Sequence, residues 1–102
     1  MVEVIWTDNA VADLNDIGEY IAKDSERYAE LTVSKLFAAA DVLEENPRVG
    51  SVVSEFRDDK IRQLIIDNYR MVYQVADAED CVYVLTVHYA KRLVKNTRHF
   101  KR

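Results

Sequence analysis

Apolar residues change their period near Gly50: before it they return every three or four positions, and after it they alternate. The opening "VEVIW", residues 2–6, is β-branched and aromatic, with Val2, Val4 and Trp6 on one face, which predicts a strand. In "NAVADLNDIGEYIAKD" the apolar residues Ala10, Leu14, Ile17 and Ile21 fall on one helical face. Asp13, Asp16, Glu19 and Lys23 take the other side, and Asp8 can cap the first turn. A second helix follows, with Ser25 as its cap and Ala29, Val33, Leu36, Ala40 and Leu43 on its apolar face. Its pattern runs for about 21 residues, or about 30 Å, and ends at Pro47 and Gly50. The short link between the two predicts an antiparallel hairpin, with Ala38 to Ala40 allowing close approach.

Beyond Gly50, "SVVSEF", "KIRQLIID", "RMVYQVAD" and "CVYVLTVHY" are β-branched and aromatic, separated by the polar turns "RDD", "DNY" and "DAED". Short turns between successive strands predict an antiparallel meander. Strict alternation puts Val82, Val84, Thr86 and His88 on one face of the last strand. Cys81, Tyr83, Leu85, Val87 and Tyr89 take the other. Both faces are apolar at the centre, so this strand should be internal, with helices on one side and partial cover on the other. The remainder, "AKRLVKNTRHFKR", is a basic tail or a short helix that Leu93, Val94 and Phe100 could dock. The expected class is α+β: a helical hairpin on an antiparallel sheet, in the order β-α-α-β-β-β with a possible closing helix.

Composition narrows the function. A chain of 102 residues, 49% hydrophobic, suits a single domain over 1–102, with residues 90–102 as a basic C-terminal segment. No apolar run approaches the roughly 20 residues of a membrane span. The first residues lack the basic-then-apolar pattern of a secretion signal, so the cytoplasm is expected. Cys81 is solitary in a strand-like run and reads as a buried, inert thiol. His88 and His99 have no metal-ligand spacing, there is no P-loop or G-x-G-x-x-G, and no Ser or Cys stands in a nucleophile motif. No metal or cofactor is expected.

The net charge of -4 is unevenly spread. Residues 1–59 carry five cations against fourteen carboxylates, whereas residues 60–102 carry nine cations against four. The last stretch holds Lys91, Arg92, Lys95, Arg98, Lys101 and Arg102 and no acid, so an anionic or acidic partner would meet that end.

Read together, these segments resemble the RelE/ParE superfamily of toxins from type II toxin–antitoxin systems. "VIWTDNAVADLNDIGEYI" is similar to the family's opening strand and helix, and "ENPRVGSVVSEF" to its N-P-x-x-G followed by V-x-E. "IRQL", "YRMVY" and "VLTVHYAKR" follow in the family's order and spacing. The resemblance implies one of two activities. ParE-like members, which include plasmid stabilisation proteins, poison DNA gyrase. RelE-like members cleave mRNA on the ribosome. The long second helix and "IRQL" look ParE-like. The closing His88-Tyr89, with Arg70 eighteen residues earlier, resembles the YoeB type of ribonuclease.

Metal-free RNA cleavage needs a base for the 2′-OH, a cation for the phosphate and an acid for the leaving oxygen. In the RelE-like reading Arg62, Arg70, His88 and Tyr89 supply these roles, with Glu55 as a further carboxylate base. Each also has a structural reading: Arg70 can close a sheet edge or pair with Asp67 or Asp77, Arg62 can be a paired strand arginine, and His88 a hydrogen-bonded strand end. Alternation sets Tyr89 opposite His88. An acidic chain with a pI near 5.1 suits rRNA docking poorly, so the leading expectation is the ParE-like one. It makes Lys91, Arg92, Lys95 and Arg98 the target-binding surface, gyrase the target, and a cognate antitoxin the partner in a hetero-oligomer. The alternatives are the ribosome with mRNA as target, or an inactive member that only binds antitoxin.

Overall fold

A computed structural model of the chain describes residues 1–90. Strand β1 (Glu3–Trp6) leads into helix α1 (Asp8–Ala22), and helix α2 (Glu26–Ala39) returns antiparallel to it. Strands β2 (Ser51–Val52), β3 (Ile61–Ile66), β4 (Tyr69–Ala76) and β5 (Cys81–Tyr89) follow. The α+β class is as expected, with one strand more than the order β-α-α-β-β-β: "SVVSEF" adds the two-residue edge strand β2.

Ser25 caps α2 by accepting from the Tyr28 amide at 3.1 Å. The cap of α1 is Thr7, not Asp8. Thr7 has extended backbone, its Oγ1 accepts from the Ala10 amide, and the same hydroxyl donates to the Val84 carbonyl at 2.7 Å. One side chain thus starts the helix and ties it to β5. Asp8 falls within the first turn, where a carboxylate favours the positive helix end.

The second helix is shorter than its apolar period. It stops being α-helical at Ala39 and tightens into a 3-10 turn over Ala40–Glu44. Pro47 lies just beyond and cannot donate to a continuing helix. The Glu44 carbonyl accepts instead from the Val2 amide at 3.0 Å, so the helix end covers the start of β1. The apolar face runs through the change, since Ala40 and Leu43 are both buried. Gly18 marks the close approach of the helices; a Cβ there would stand 3.1 Å from Val33 Cγ2.

The sheet order is β1-β5-β4-β3-β2. Strands β2 to β5 form the expected antiparallel meander. β1 adds to β5 in parallel, from Glu3 opposite Cys81 to Trp6 opposite Val84. A parallel neighbour needs a long crossover, and the helical hairpin is part of that crossover.

The main core lies between helices and sheet. Ala10, Leu14, Leu36, Ala40 and Leu43 pack on Met71, Tyr73, Val75, Val82, Val84 and Val87. A smaller cluster of Val53, Ile61 and Val72, joined by Phe56 and Leu85, covers part of the opposite face.

A β-bulge corrects the strict alternation read along β5. Val72 pairs with Thr86 but Tyr73 pairs with Val84, which leaves Leu85 as an extra residue. An extra residue shifts the facing of everything after it by one position. Val87 therefore joins Val82 and Val84 in the helix-side core, and Tyr89 follows it toward the helices. His88 moves to the other face, opposite Arg70. Beyond Trp6 no β1 residue pairs with β5. There the Asp13 carboxylate accepts from the Val87 amide at 3.1 Å and from the Thr86 hydroxyl. Asp13, read from the sequence as part of the polar side of α1, satisfies that strand edge.

Candidate functional site

The face of the sheet away from the helices gathers four polar side chains from four segments. Arg70 stands on β4 and His88 is its direct cross-strand partner on β5. Gln63 comes from β3, and Glu55 from the turn after β2. Alternation along β3 and β4 puts Gln63 and Arg70 on this face, Gln63 opposite Val72 and Arg70 opposite Ile65, and the bulge at Leu85 brings His88 to it opposite Arg70.

The arginine is enclosed and engaged. Its Nη1 and Nη2 donate to the two oxygens of Glu55, at 3.3 and 3.2 Å. Its Nε donates to Gln63 Oε1. The Arg70 and Glu55 side chains are only 10% and 16% exposed. Arg70 pairs with neither Asp67 nor Asp77, the two partners open to it from the sequence: Asp67 binds Lys35 at 2.8 Å, and Asp77 binds Arg48 through two hydrogen bonds. His88 is buried, at 6% exposure.

Arg62 lies on the opposite face, paired with Tyr73. Its Nη1 donates to the carbonyls of Arg48 and Gly50, and its Nε to that of Asp59. It is a structural cation that fastens the chain between Pro47 and β2 to the end of β3. The same corner holds a phenol: the Gly50 amide donates to Tyr73 Oη at 2.9 Å. Burial pushes the Tyr73 phenol up from its ordinary pKa, and the Gly50 hydrogen bond and the nearby arginines oppose that rise. The Arg48 hydrogen bonds hold Asp77 below the usual carboxylate range.

Tyr89 is also on the helix side, 55% exposed, with its ring 5.7 Å from that of Tyr69. The two line a groove of about 600 Å³ with Ile21, Tyr28, Thr32, Asp67 and Asn68. Burial, followed by the neighbouring phenols of Tyr89, Tyr28 and Tyr20, raises the Tyr69 pKa.

Of the four residues expected to act in RNA cleavage, the fold therefore brings together Arg70 and His88 and separates Arg62 and Tyr89 from them. Glu55 does join the arginine, as its ion-pair partner. Gln63 was missed, although its place between Ile61 and Ile65 in an alternating strand marks its face. The tyrosine groove was missed because Tyr28, Tyr69 and Tyr89 meet only in three dimensions. The basic surface of Lys91, Arg92, Lys95 and Arg98 lies outside the described residues. Among the described residues no group of three His, Cys, Asp or Glu side chains could hold a metal, and no helix is long and apolar enough to cross a membrane. Cys81 is buried, as expected.

Comparison with known proteins places this architecture. The solved chromosomal ParDE toxin–antitoxin system of P. aeruginosa contains a chain that superposes with a TM-score of 0.74 at 18% identity, covering 89% of this chain and 98% of that one. A free-state mutant of the E. coli toxin RelE gives 0.63 at 19% identity, covering 88% and 84%. At these identities the likeness shows the fold. In sequence, the chain is 34% identical over 94 residues to "Toxin RelE2" of Caulobacter vibrioides, covering 91% of this chain and 100% of that protein. The model of the ParE toxin of the type II toxin–antitoxin system parDE matches residues 4–94. The chain belongs to the ParE toxin family of type II toxin–antitoxin systems, within the RelE/ParE superfamily.

Proposed function

We propose that this toxin acts ParE-like: it inhibits DNA gyrase by binding, without RNA chemistry of its own, and a cognate antitoxin neutralises it. One observation carries the choice. The arginine that RNA cleavage would aim at a phosphate is held by the Glu55 carboxylate inside the fold, and the histidine beside it is buried. A cation already paired with an internal anion offers little charge to a developing phosphorane. Arg62 is bound to three backbone carbonyls, and Tyr89 is on the other side of the sheet. The acidic charge of -4 also disfavours docking among rRNA phosphates.

In this reading the basic segment with Lys91, Arg92, Lys95 and Arg98 is the surface that meets the gyrase–DNA complex. The antitoxin would fold a disordered segment over the helical hairpin and sheet, as a hetero-oligomer in the cytoplasm. Solved relatives include the ParDE and RelBE toxin–antitoxin assemblies, which supports such a partner. Purified toxin should inhibit DNA supercoiling by gyrase and trap cleaved DNA, and equimolar antitoxin should restore supercoiling. Full supercoiling at saturating toxin would overturn the reading.

A ribosome-dependent ribonuclease is the second reading. Two observations favour it: Arg70 and His88 face each other across β4 and β5, and the Caulobacter relative bears the name RelE2.

A further inference from the structure

The turn that joins β3 to β4 borders the groove lined by Tyr28, Tyr69 and Tyr89, and the sheet holds that turn in place. Asp67 takes a left-handed conformation there, with a φ of 54°, which Asp tolerates better than most residues. The Ala90 amide donates to the Asn68 carbonyl at 2.8 Å, and Tyr69 is the cross-strand partner of both Ile66 and Tyr89. Tyr28 reaches the same groove from α2, and Ile21 lines it from α1. The rings of Tyr69 and Tyr89 are tilted by 56°, so neither lies flat over the other. Tyr28 is 62% exposed. The groove thus offers open aromatic rings in positions the strands and helices have already set.

The surroundings of these rings are anionic. Asp67 is part of the lining, and residues 8–39, which hold both helices, carry seven carboxylates against the three cations Lys23, Arg27 and Lys35. Two of those cations are already drawn to this corner. Lys35 Nζ lies 2.8 Å from Asp67, and Lys23 Nζ lies 5.8 Å from the centre of the Tyr20 ring, whose phenol is close enough to act on Tyr69. The Lys35 and Asp67 side chains are both 60% exposed, so their pair is weak and open to exchange. A nucleic-acid base can stack on tyrosine, but its phosphates would meet the acidic hairpin. A cation is attracted by ring faces and carboxylates alike. Arginine suits the groove best among cations: its guanidinium plane stacks on rings while donating to a carboxylate, and its aliphatic stem covers an apolar wall such as Ile21. At about 600 Å³ the groove is larger than one guanidinium, so it has room for the peptide segment that carries it.

We propose that this groove is a cage for an arginine side chain on a segment of a partner protein, held by the rings of Tyr28, Tyr69 and Tyr89 and by the Asp67 carboxylate. The arginine replaces Lys35 on Asp67. The cage rests on the reading above only in that a partner segment crosses the helical hairpin, and it is independent of the target that the toxin inhibits.

The test titrates the full chain with the capped tripeptide acetyl-Leu-Arg-Leu-amide, following the ring-proton resonances of Tyr28, Tyr69 and Tyr89. A second titration uses the same peptide with citrulline in place of arginine, which keeps the shape and removes the charge. The arginine peptide should shift the rings saturably and bind at least about fivefold more tightly than the citrulline peptide. That preference should vanish in Tyr28→Leu/Tyr89→Leu, which keeps apolar area and removes two rings that are more than half exposed. It should fall in Asp67→Asn, which suits the same left-handed turn. Equal affinity for the two peptides would make the groove an apolar surface and overturn the proposal. No shift at the highest soluble peptide, or a preference that survives loss of both rings, would do the same. So would a short single-stranded DNA that binds these rings when the peptide does not. Contacts from the ring protons to Arg92 or Leu93 of the chain itself, undisturbed by peptide, would assign the groove to its own basic segment and also overturn the proposal.

Discussion

Arg70 and His88 are direct partners across β4 and β5, and the extra residue Leu85 puts them on one face. Without that bulge His88 would turn to the helices and Tyr89 would take its place beside the arginine. A single inserted residue therefore decides which aromatic side chain neighbours the charged cluster.

The Arg70–Glu55 pair should be costly to break from one side. Arg70→Ala leaves the largely buried Glu55 carboxylate without its ion-pair partner, and should cost about 3–5 kcal/mol. Replacing both residues by apolar groups should recover much of that loss. Chemical denaturation of the two single variants and the double variant gives the coupling; additive losses would mean the pair does not interact.

Gly50 is fixed by its surroundings. A Cβ there would meet the Gln63 carbonyl oxygen at 2.3 Å and Tyr73 Oη at 2.7 Å. Gly50→Ala should therefore cost about 2–3 kcal/mol through forced displacement. Tyr73→Phe keeps the packing but leaves the Gly50 amide without its acceptor, and should cost about 1–3 kcal/mol. Denaturation midpoints at constant slope check both.

The Asp13 carboxylate takes the place of a missing strand beside β5. Asp13→Ala should lower stability by about 1–2 kcal/mol and speed hydrogen exchange at the Val87 amide, which donates to it. Unchanged exchange at Val87 would show that this edge needs no cap.

Acid stability should depend on Asp77. Its pKa in the folded chain lies below the ordinary 3.8, chiefly through the hydrogen bonds from Arg48. The stabilisation is therefore fully present above the unfolded value and is lost as the pH falls through the folded value. Arg48→Ala should be less stable than wild type near neutral pH, and the two should converge as the pH falls below the folded value of Asp77. Denaturation across that range tests the convergence.

Much of the architecture was legible because it rests on local periodicity. Ala10, Leu14, Leu36 and Leu43 repeat at helical spacing, and all four are buried. The Ser25 cap and the meander turns are equally local signals. What escaped was set by distant partners. Thr7 displaced Asp8 as the cap because its hydroxyl also reaches Val84 and Leu85. The parallel pairing of β1 with β5 joins distant parts of the chain, from Glu3 opposite Cys81 to Trp6 opposite Val84. The bulge at Leu85 carries no glycine or other marker, and it reversed the facing of the last residues of β5. Candidate chemistry followed the same division: Arg70 and His88 could be picked out by type and spacing, but their enclosure by Glu55 and Gln63 depends on a turn and a strand that meet only in the fold.

A toxin that inhibits gyrase by binding, as proposed, leaves cellular RNA uncut. The most direct measurement is to induce the chain without its antitoxin and map the 5′ ends of cellular mRNA. Growth arrest with intact mRNA, equally strong in His88→Gln, is the expected result. New cuts inside translated codons, lost in Arg70→Ala, would contradict it and make the arginine–histidine face an active site.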